Sequence, residues 1–180
     1  KSLYKRISVG EILDLYLKKI TEDDDFVKWT ANNMNYLLVD EAQDLTKVNY
    51  QILDALLERI PDLKIFLVGD PRQNIFGFFG GSYKYLDAFL TKYEDSVSKQ
   101  FLKESYRCPQ SVLDYTNAFQ FEDCENIQLE SKLEGDGEIC INEYDDEYEE
   151  AEEIVKYIMS LPNRKSVAIL SPRLRQMSRI

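Results

Sequence analysis

Two short apolar runs, each closed by acid, constrain this chain more than any other feature. Tyr36 to Val39 is wholly apolar and ends in Asp40-Glu41, and Lys64 to Val68 ends in Gly69-Asp70. Each is too short for a helix and has the pattern of a strand buried on both faces. Between them, Thr46 to Ile60 places Val48, Ile52, Leu53, Leu56, Leu57 and Ile60 at helical spacing, and Pro61 follows as a stop. Strand, helix and strand joined by short connections form a βαβ unit. The two strands are therefore expected to be parallel with a right-handed crossover. In open parallel sheets ligands bind beyond the carboxyl ends of the strands, which here carry Asp40, Glu41 and Asp70.

The flanking segments extend this α/β pattern. Ile7 to Ile20 has helical period with Ser8 as N-cap, Ser82 caps a helix to about Tyr93, and Pro109 opens a helix from Gln110 to Phe119. Phe101-Leu102 reads as a third strand. Phe121 to Gly137 is polar and lacks a sustained period, as a surface crossing or linker would. Beyond it a strand at Glu138 to Asn142, a helix from about Glu147 to Leu161 and a strand at Ser166 to Leu170 form a second α/β unit, too short to close a sheet alone.

Composition removes several classes of function. The 180 residues contain no His, so imidazole metal sites and Ser-His or Cys-His catalysis are excluded. No apolar run approaches the roughly 20 residues that span a bilayer, so no membrane association is expected. Cys108, Cys124 and Cys140 are too widely spaced for a CxxC or zinc pairing and read as reduced thiols of a cytoplasmic protein. The formal charge of −11 is local: residues 121 to 153 hold 15 acids and one base, while the remainder holds 18 acids and 21 bases. Net acidity is thus no argument against nucleic-acid binding. Arg164, Lys165, Arg173, Arg175 and Arg179 leave the carboxyl end basic, able to meet DNA phosphates or simply to be solvated.

An Asp-Glu pair at a strand end can hold hydrated Mg²⁺ and polarise a water, or merely cap the next helix. Its surroundings point to the first role. Asp40-Glu41-Ala42-Gln43-Asp44, then Gly69-Asp70-Pro71-Arg72-Gln73-Asn74-Ile75-Phe76-Gly77-Phe78-Phe79-Gly80-Gly81, then Leu102-Lys103-Glu104-Ser105-Tyr106-Arg107 occur in this order. Together they resemble motif II, motif III and the entry to motif IV of the UvrD/Rep-like superfamily 1 DNA helicases. Val167 to Leu170 through Gln176-Met177-Ser178-Arg179 resembles a strand and turn of that family's second motor domain.

The resemblance implies an α/β, parallel-sheet, RecA-like (P-loop NTPase-type) motor domain, partial, followed by the start of a second RecA-like domain. On this reading residues 1–120 are the later part of the first domain, 121–137 an acidic linker and 138–180 the beginning of the second. The resemblance makes Asp40 the Walker B carboxylate on Mg²⁺, with Glu41 beside it as the base that activates the attacking water. It makes Gln73 the sensor of the ATP γ-phosphate, Asp70 a support for that loop, Tyr106 the ring stacked on adenine and Arg107 an arginine finger. These roles suit phosphoryl transfer, which needs a positioned water and cations on the equatorial oxygens. Phe78 occupies the place of an aromatic that stacks on single-stranded DNA, and Phe76 and Phe79 flank it. Core packing is the competing role for Phe76, and Phe79 stands where the family has arginine, loosening the implied link between phosphate site and DNA.

None of the seven glycines is followed by Lys, so the chain contains no G-x-x-x-x-G-K-[ST] phosphate loop. With a first residue other than Met, this reads as part of a longer ATP-dependent 3′-to-5′ DNA helicase or translocase of repair, recombination or replication. Its expected partners are single-stranded DNA, single-strand/duplex junctions, ATP with Mg²⁺, and a protein such as a nuclease. The short chain alone is expected not to hydrolyse ATP. Two alternatives stay open: a degenerate helicase-like module that binds nucleic acid or a partner, and a Mg²⁺-dependent nuclease built on Asp40, Glu41, Asp44 and Asp70.

Overall fold

A computed structural model of the chain describes residues 7–74, 83–121, 124–163 and 166–171. The chain opens with two helices, α1 (Val9–Glu22) and α2 (Asp24–Asn33). Ser8 starts α1 through a reciprocal capping box. Its hydroxyl accepts the Glu11 N–H at 3.2 Å, while Glu11 Oε2 accepts the Ser8 N–H at 2.8 Å. The second helix had no counterpart in the sequence reading, although Phe26, Val27 and Ala31 pack on the core at helical spacing within an otherwise mostly polar run. Asp23 explains it: the residue terminates α1 and caps α2, its Oδ1 accepting from the Phe26 N–H at 3.0 Å.

Next come β1 (Tyr36–Val39), a 3₁₀ turn over Ala42–Asp44, α3 (Lys47–Arg59) and β2 (Lys64–Leu67). The strands pair in parallel, Tyr36 opposite Lys64 through Val39 opposite Leu67. The ladder continues past their ends, with Val68 N–H donating to Val39 O and Ala42 N–H to Val68 O, both at 2.8 Å. That extension holds the two acidic strand ends side by side.

Burial departs from the expectation of strands covered on both faces. Leu37, Val39, Ile65 and Leu67 face the core, whereas Tyr36, Leu38 and Phe66 are 71%, 72% and 63% exposed. All the described helices that pack on this sheet cover one face. Ile20, Val27, Ile52, Leu56, Ile60 and Leu63 make one buried cluster under α1, α2 and α3. A second, of Tyr50, Leu53, Leu86 and Phe89, joins α3 to α4 (Tyr83–Lys92).

The later part of the chain differs more from its sequence pattern. Phe101-Leu102 is not a strand, and Leu102 is exposed. The pairing segment is instead β3 (Glu104–Ser105), which lies parallel to β4 (Glu130–Ser131), with α5 (Gln110–Asn117) between them in sequence. This short ladder is polar, so hydrophobicity could not reveal it. Pro109 is the residue before α5 rather than in its first turn, because its ψ of 157° is still extended; the helix ends at Asn117, short of Phe119.

The segment Phe121 to Gly137, aperiodic in sequence, contains β4 among its described residues and is docked by side chains. Asn117 exchanges two hydrogen bonds with the Leu129 backbone, and the Ser111 hydroxyl both accepts from and donates to the Gly137 backbone. A Cβ on Gly137 would lie 3.0 Å from Val112 Cγ2, so the segment's close approach depends on glycine there. The last described helix, α6 (Glu147–Ser160), is capped by Asp146, whose Oδ1 accepts from the Tyr148 and Glu149 N–H groups. The strands expected at Glu138 to Asn142 and Ser166 to Leu170 do not form among the described residues, since no neighbouring strand offers them a ladder.

Candidate functional site at the strand ends

The site is built where β1 and β2 stop. Asp40 follows β1 directly, is exposed, and accepts the Glu41 N–H on Oδ1 at 2.9 Å. Glu41 has φ of 51°, in the left-handed region, which a residue with a Cβ occupies only at a cost of about 1–2 kcal/mol. The chain reverses there and enters the 3₁₀ turn. Tyr50 anchors that turn from α3, its buried hydroxyl donating to Ala42 O at 2.7 Å. Burial pushes the Tyr50 phenol well above its ordinary range, so it stays a donor.

Within this turn the side chain of Gln43 is buried, only 1% exposed. Its Nε2 donates to Glu41 Oε2 at 2.7 Å, and its Oε1 accepts the Asp70 N–H at 3.0 Å. Asn74 Nδ2 donates to the Gln43 carbonyl at 2.9 Å. Gly69 makes the approach possible: a Cβ there would stand 2.6 Å from Gln43 Oε1. Gln43 was read only as part of a motif and Gly69 only as a strand end. The available signal was an uncharged amide between two acids just before a core helix.

Asp70 caps a second 3₁₀ turn, Pro71–Gln73. Its Oδ1 accepts the Arg72 N–H at 3.0 Å and Arg72 Nε at 3.1 Å, while Oδ2 accepts Gln73 Nε2 at 3.0 Å. Partial burial pushes this carboxyl up, but the hydrogen bonds from Arg72 and Gln73 and the Arg72 charge outweigh it, and the group sits below its ordinary value. Arg72 also donates to Ile127 O at 3.3 Å, tying the β2 loop to the segment preceding β4. Asp70 thus supports its loop.

Tyr106 and Arg107 follow β3. Tyr106 is 72% exposed, with its hydroxyl on Glu104 Oε2 at 3.2 Å. The Arg107 N–H donates to Ser105 Oγ at 3.4 Å, and its guanidinium makes no ion pair among the described residues. Thus Asp40, Glu41 and Gln73 share one hydrogen-bonded assembly through Gln43 and Asp70. Tyr106 and Arg107 are presented on a separate element without a direct bond to it. Phe76, Phe78 and Phe79 lie outside the described residues, as do Arg164, Lys165, Arg173, Arg175 and Arg179.

The donor set fits a hard cation: Asp40 Oδ2 and Glu41 Oε1 are carboxylate oxygens with no hydrogen bond among the described residues. The four-acid nuclease arrangement is not assembled. Among the described residues no group of three or more His, Cys, Asp or Glu side chains is placed to hold a metal, and Asp70 is already occupied by Arg72 and Gln73. No helix among the described residues is long and apolar enough to cross a membrane.

Comparison with known proteins agrees with the motif order. The chain is 31% identical over 164 residues to the ATP-dependent DNA helicase PcrA of Leuconostoc citreum, covering 90% of this chain and 22% of that protein. PcrA of Staphylococcus epidermidis is 29% identical over 135 residues, 74% of this chain and 18% of its own. A probable DNA helicase II homolog of Mycoplasma genitalium is 28% identical over 120 residues, 65% of this chain and 16% of its own. The chain therefore spans about a fifth of the length of these relatives. The UvrD/REP helicase N-terminal domain matches residues 1–94, and the chain belongs to that helicase family.

Proposed function

We propose that this chain is part of an ATP-dependent DNA helicase or translocase that couples Mg-ATP hydrolysis to 3′-to-5′ movement on single-stranded DNA. The observation that carries the reading is the hydrogen-bonded joining of the β1 and β2 ends, which places Asp40 and Glu41 beside the loop bearing Gln73. In the proposed mechanism Asp40 holds hydrated Mg²⁺, whose charge offsets that of the phosphates. Glu41 orients the attacking water and accepts its proton. Gln73 reads the γ-phosphate, Tyr106 stacks on the base, and Arg107 neutralises charge developing on the transferred group. Phe76, Phe78 and Phe79 provide the stacking surface for DNA, and contacts of this kind contribute ~1–3 kcal/mol per base.

In this reading residues 1–120 belong to a first RecA-like domain, 121–137 connect it to a second, and 138–180 open that second domain. The whole protein would work in the cytoplasm in DNA repair, recombination or replication, on single strands and their junctions with duplex, with a nuclease as one class of partner. The chain by itself should not turn over ATP, because its sequence has no G-x-x-x-x-G-K-[ST] phosphate loop.

The test is ATP hydrolysis by the whole protein that carries this chain, with and without single-stranded DNA, beside its Glu41→Gln variant. DNA-stimulated turnover that falls by about 100-fold or more in the variant is the expected result, in line with loss of a general base. Wild-type turnover in the variant would overturn the assignment of Glu41. A whole protein that never hydrolyses ATP would overturn the motor reading.

A further inference from the structure

Gln43 is the most deeply buried polar side chain of the site, at 1% exposure, and both ends of its carboxamide are used. A buried amide left half-satisfied is costly, so its two partners are tightly specified. One partner is the Glu41 carboxylate and the other is the Asp70 N–H. Asp70 in turn holds Gln73 through Oδ2, at 3.0 Å. An unbroken path of three hydrogen bonds thus runs from Glu41 through Gln43 and Asp70 to Gln73. It is short and buried at its centre, and it crosses between two loops that are 27 residues apart in sequence at the Gln43–Asp70 step.

We propose that Gln43 is a positioning residue that couples the loop after β2 to the Glu41 carboxylate. It holds one oxygen of Glu41, so that the other faces the exposed strand end, and it transmits displacement of the Asp70–Gln73 turn to that oxygen. Glu41 needs such a restraint because its backbone is held in the left-handed region, where a glutamate has no local reason to stay. The inference rests on the proposed role of Glu41 as base.

The test is made on the whole protein, with Gln43→Met, a substitution of similar length that cannot bridge, and Gly69→Ala, whose Cβ would stand 2.6 Å from Gln43 Oε1 and 3.1 and 3.2 Å from the Ala42 and Gln43 backbone nitrogens, displacing the amide and pressing on the turn that carries it. The readouts are kcat and KM for ATP with saturating single-stranded DNA, affinity for a non-hydrolysable ATP analogue, and thermal midpoint. Each variant is expected to lose at least about tenfold in kcat measured well below its thermal midpoint, with KM and analogue affinity close to wild type, while the midpoint falls as loss of a buried hydrogen bond requires. Adding Gln43→Met to Glu41→Gln should lower kcat no further, because the two residues act as a unit. Unchanged kcat in Gln43→Met would overturn the proposal, as would a loss in kcat matched by an equal loss of analogue affinity. Should Gln43→Met not fold, Gly69→Ala decides by the same outcomes. Retained turnover in Glu41→Gln would sink the base assignment and this inference together; its collapse beside an unaffected Gln43→Met would sink this inference alone.

Discussion

Glu41 and Asp70 show how single residues reconcile chemistry with folding. Glu41 occupies a conformation that favours glycine, so Glu41→Gly and Glu41→Ala both remove the carboxylate but differ in backbone strain. Denaturant unfolding should find the glycine variant more stable than the alanine variant by about 1 kcal/mol. Asp70 makes the complementary case. Its folded-state pKa is lowered, so its contribution to stability is fully present above the ordinary aspartate value near 3.8 and is lost as pH falls through the lower folded value. Acid unfolding of the wild type should therefore steepen below about pH 4, and Asp70→Asn should flatten that part of the curve. Both residues could be named from the sequence, but their neighbours were unequally legible. Asp40, Glu41 and Gln73 could be singled out because acids at strand ends and a familiar motif order announce them. Gln43, Gly69 and Arg72 could not, because their importance comes from a contact between loops far apart in the chain.

At the level of elements, legibility followed hydrophobic periodicity. α1, β1, α3, β2 and α4 each place apolar residues on a core-facing side, and their positions agree with the pattern within one or two residues. The β3–β4 pair is set by backbone hydrogen bonds between polar residues and leaves no periodic trace, whereas α2 has one in Phe26, Val27 and Ala31 that is short and stands among acids and amides. Conversely, Phe101-Leu102 and Ser166 to Leu170 have strand-like composition without a ladder to join. Two substitutions test this account. Leu56, 2% exposed between α1 and α2, should cost about 2–5 kcal/mol as Leu56→Ala, read from denaturant unfolding. Asp146→Ala removes the acceptor of two N–H groups at the start of α6, and should cost about 1 kcal/mol with loss of helical signal in circular dichroism.

Across the whole molecule, one-sided burial of the β1–β2 sheet is the dominant feature. Tyr36, Leu38 and Phe66 line up on the open face, and contiguous apolar exposure of this kind makes a chain adhesive. Purified as it stands, the chain should bind a hydrophobic dye, and Leu38→Lys with Phe66→Lys should reduce the dye signal while leaving the helical circular-dichroism signal intact. The expectation of strands buried on both faces came from their short, predominantly apolar runs, which describe what the strands can bury and not what covers them. The charge division is a separate matter: the acidic stretch from 121 to 153 accounts for the net negative charge, and the remainder of the chain is close to neutral.

The corner between α1 and α2 is one residue long, and Arg59 braces it from α3 by bonding to the Thr21 carbonyl and to Asp24. Such a joint has no slack in length. One extra residue at Asp23 would turn α2 by about 100° about its axis, carrying Val27 and Thr30 off the core and polar neighbours into it. The turn at Gly135 is different, with φ of 97° and open space around the position of a Cβ. Length variation is therefore compatible with the Gly135 turn and incompatible with the Asp23 corner, where the side chain is fixed as well, because its carboxylate caps α2.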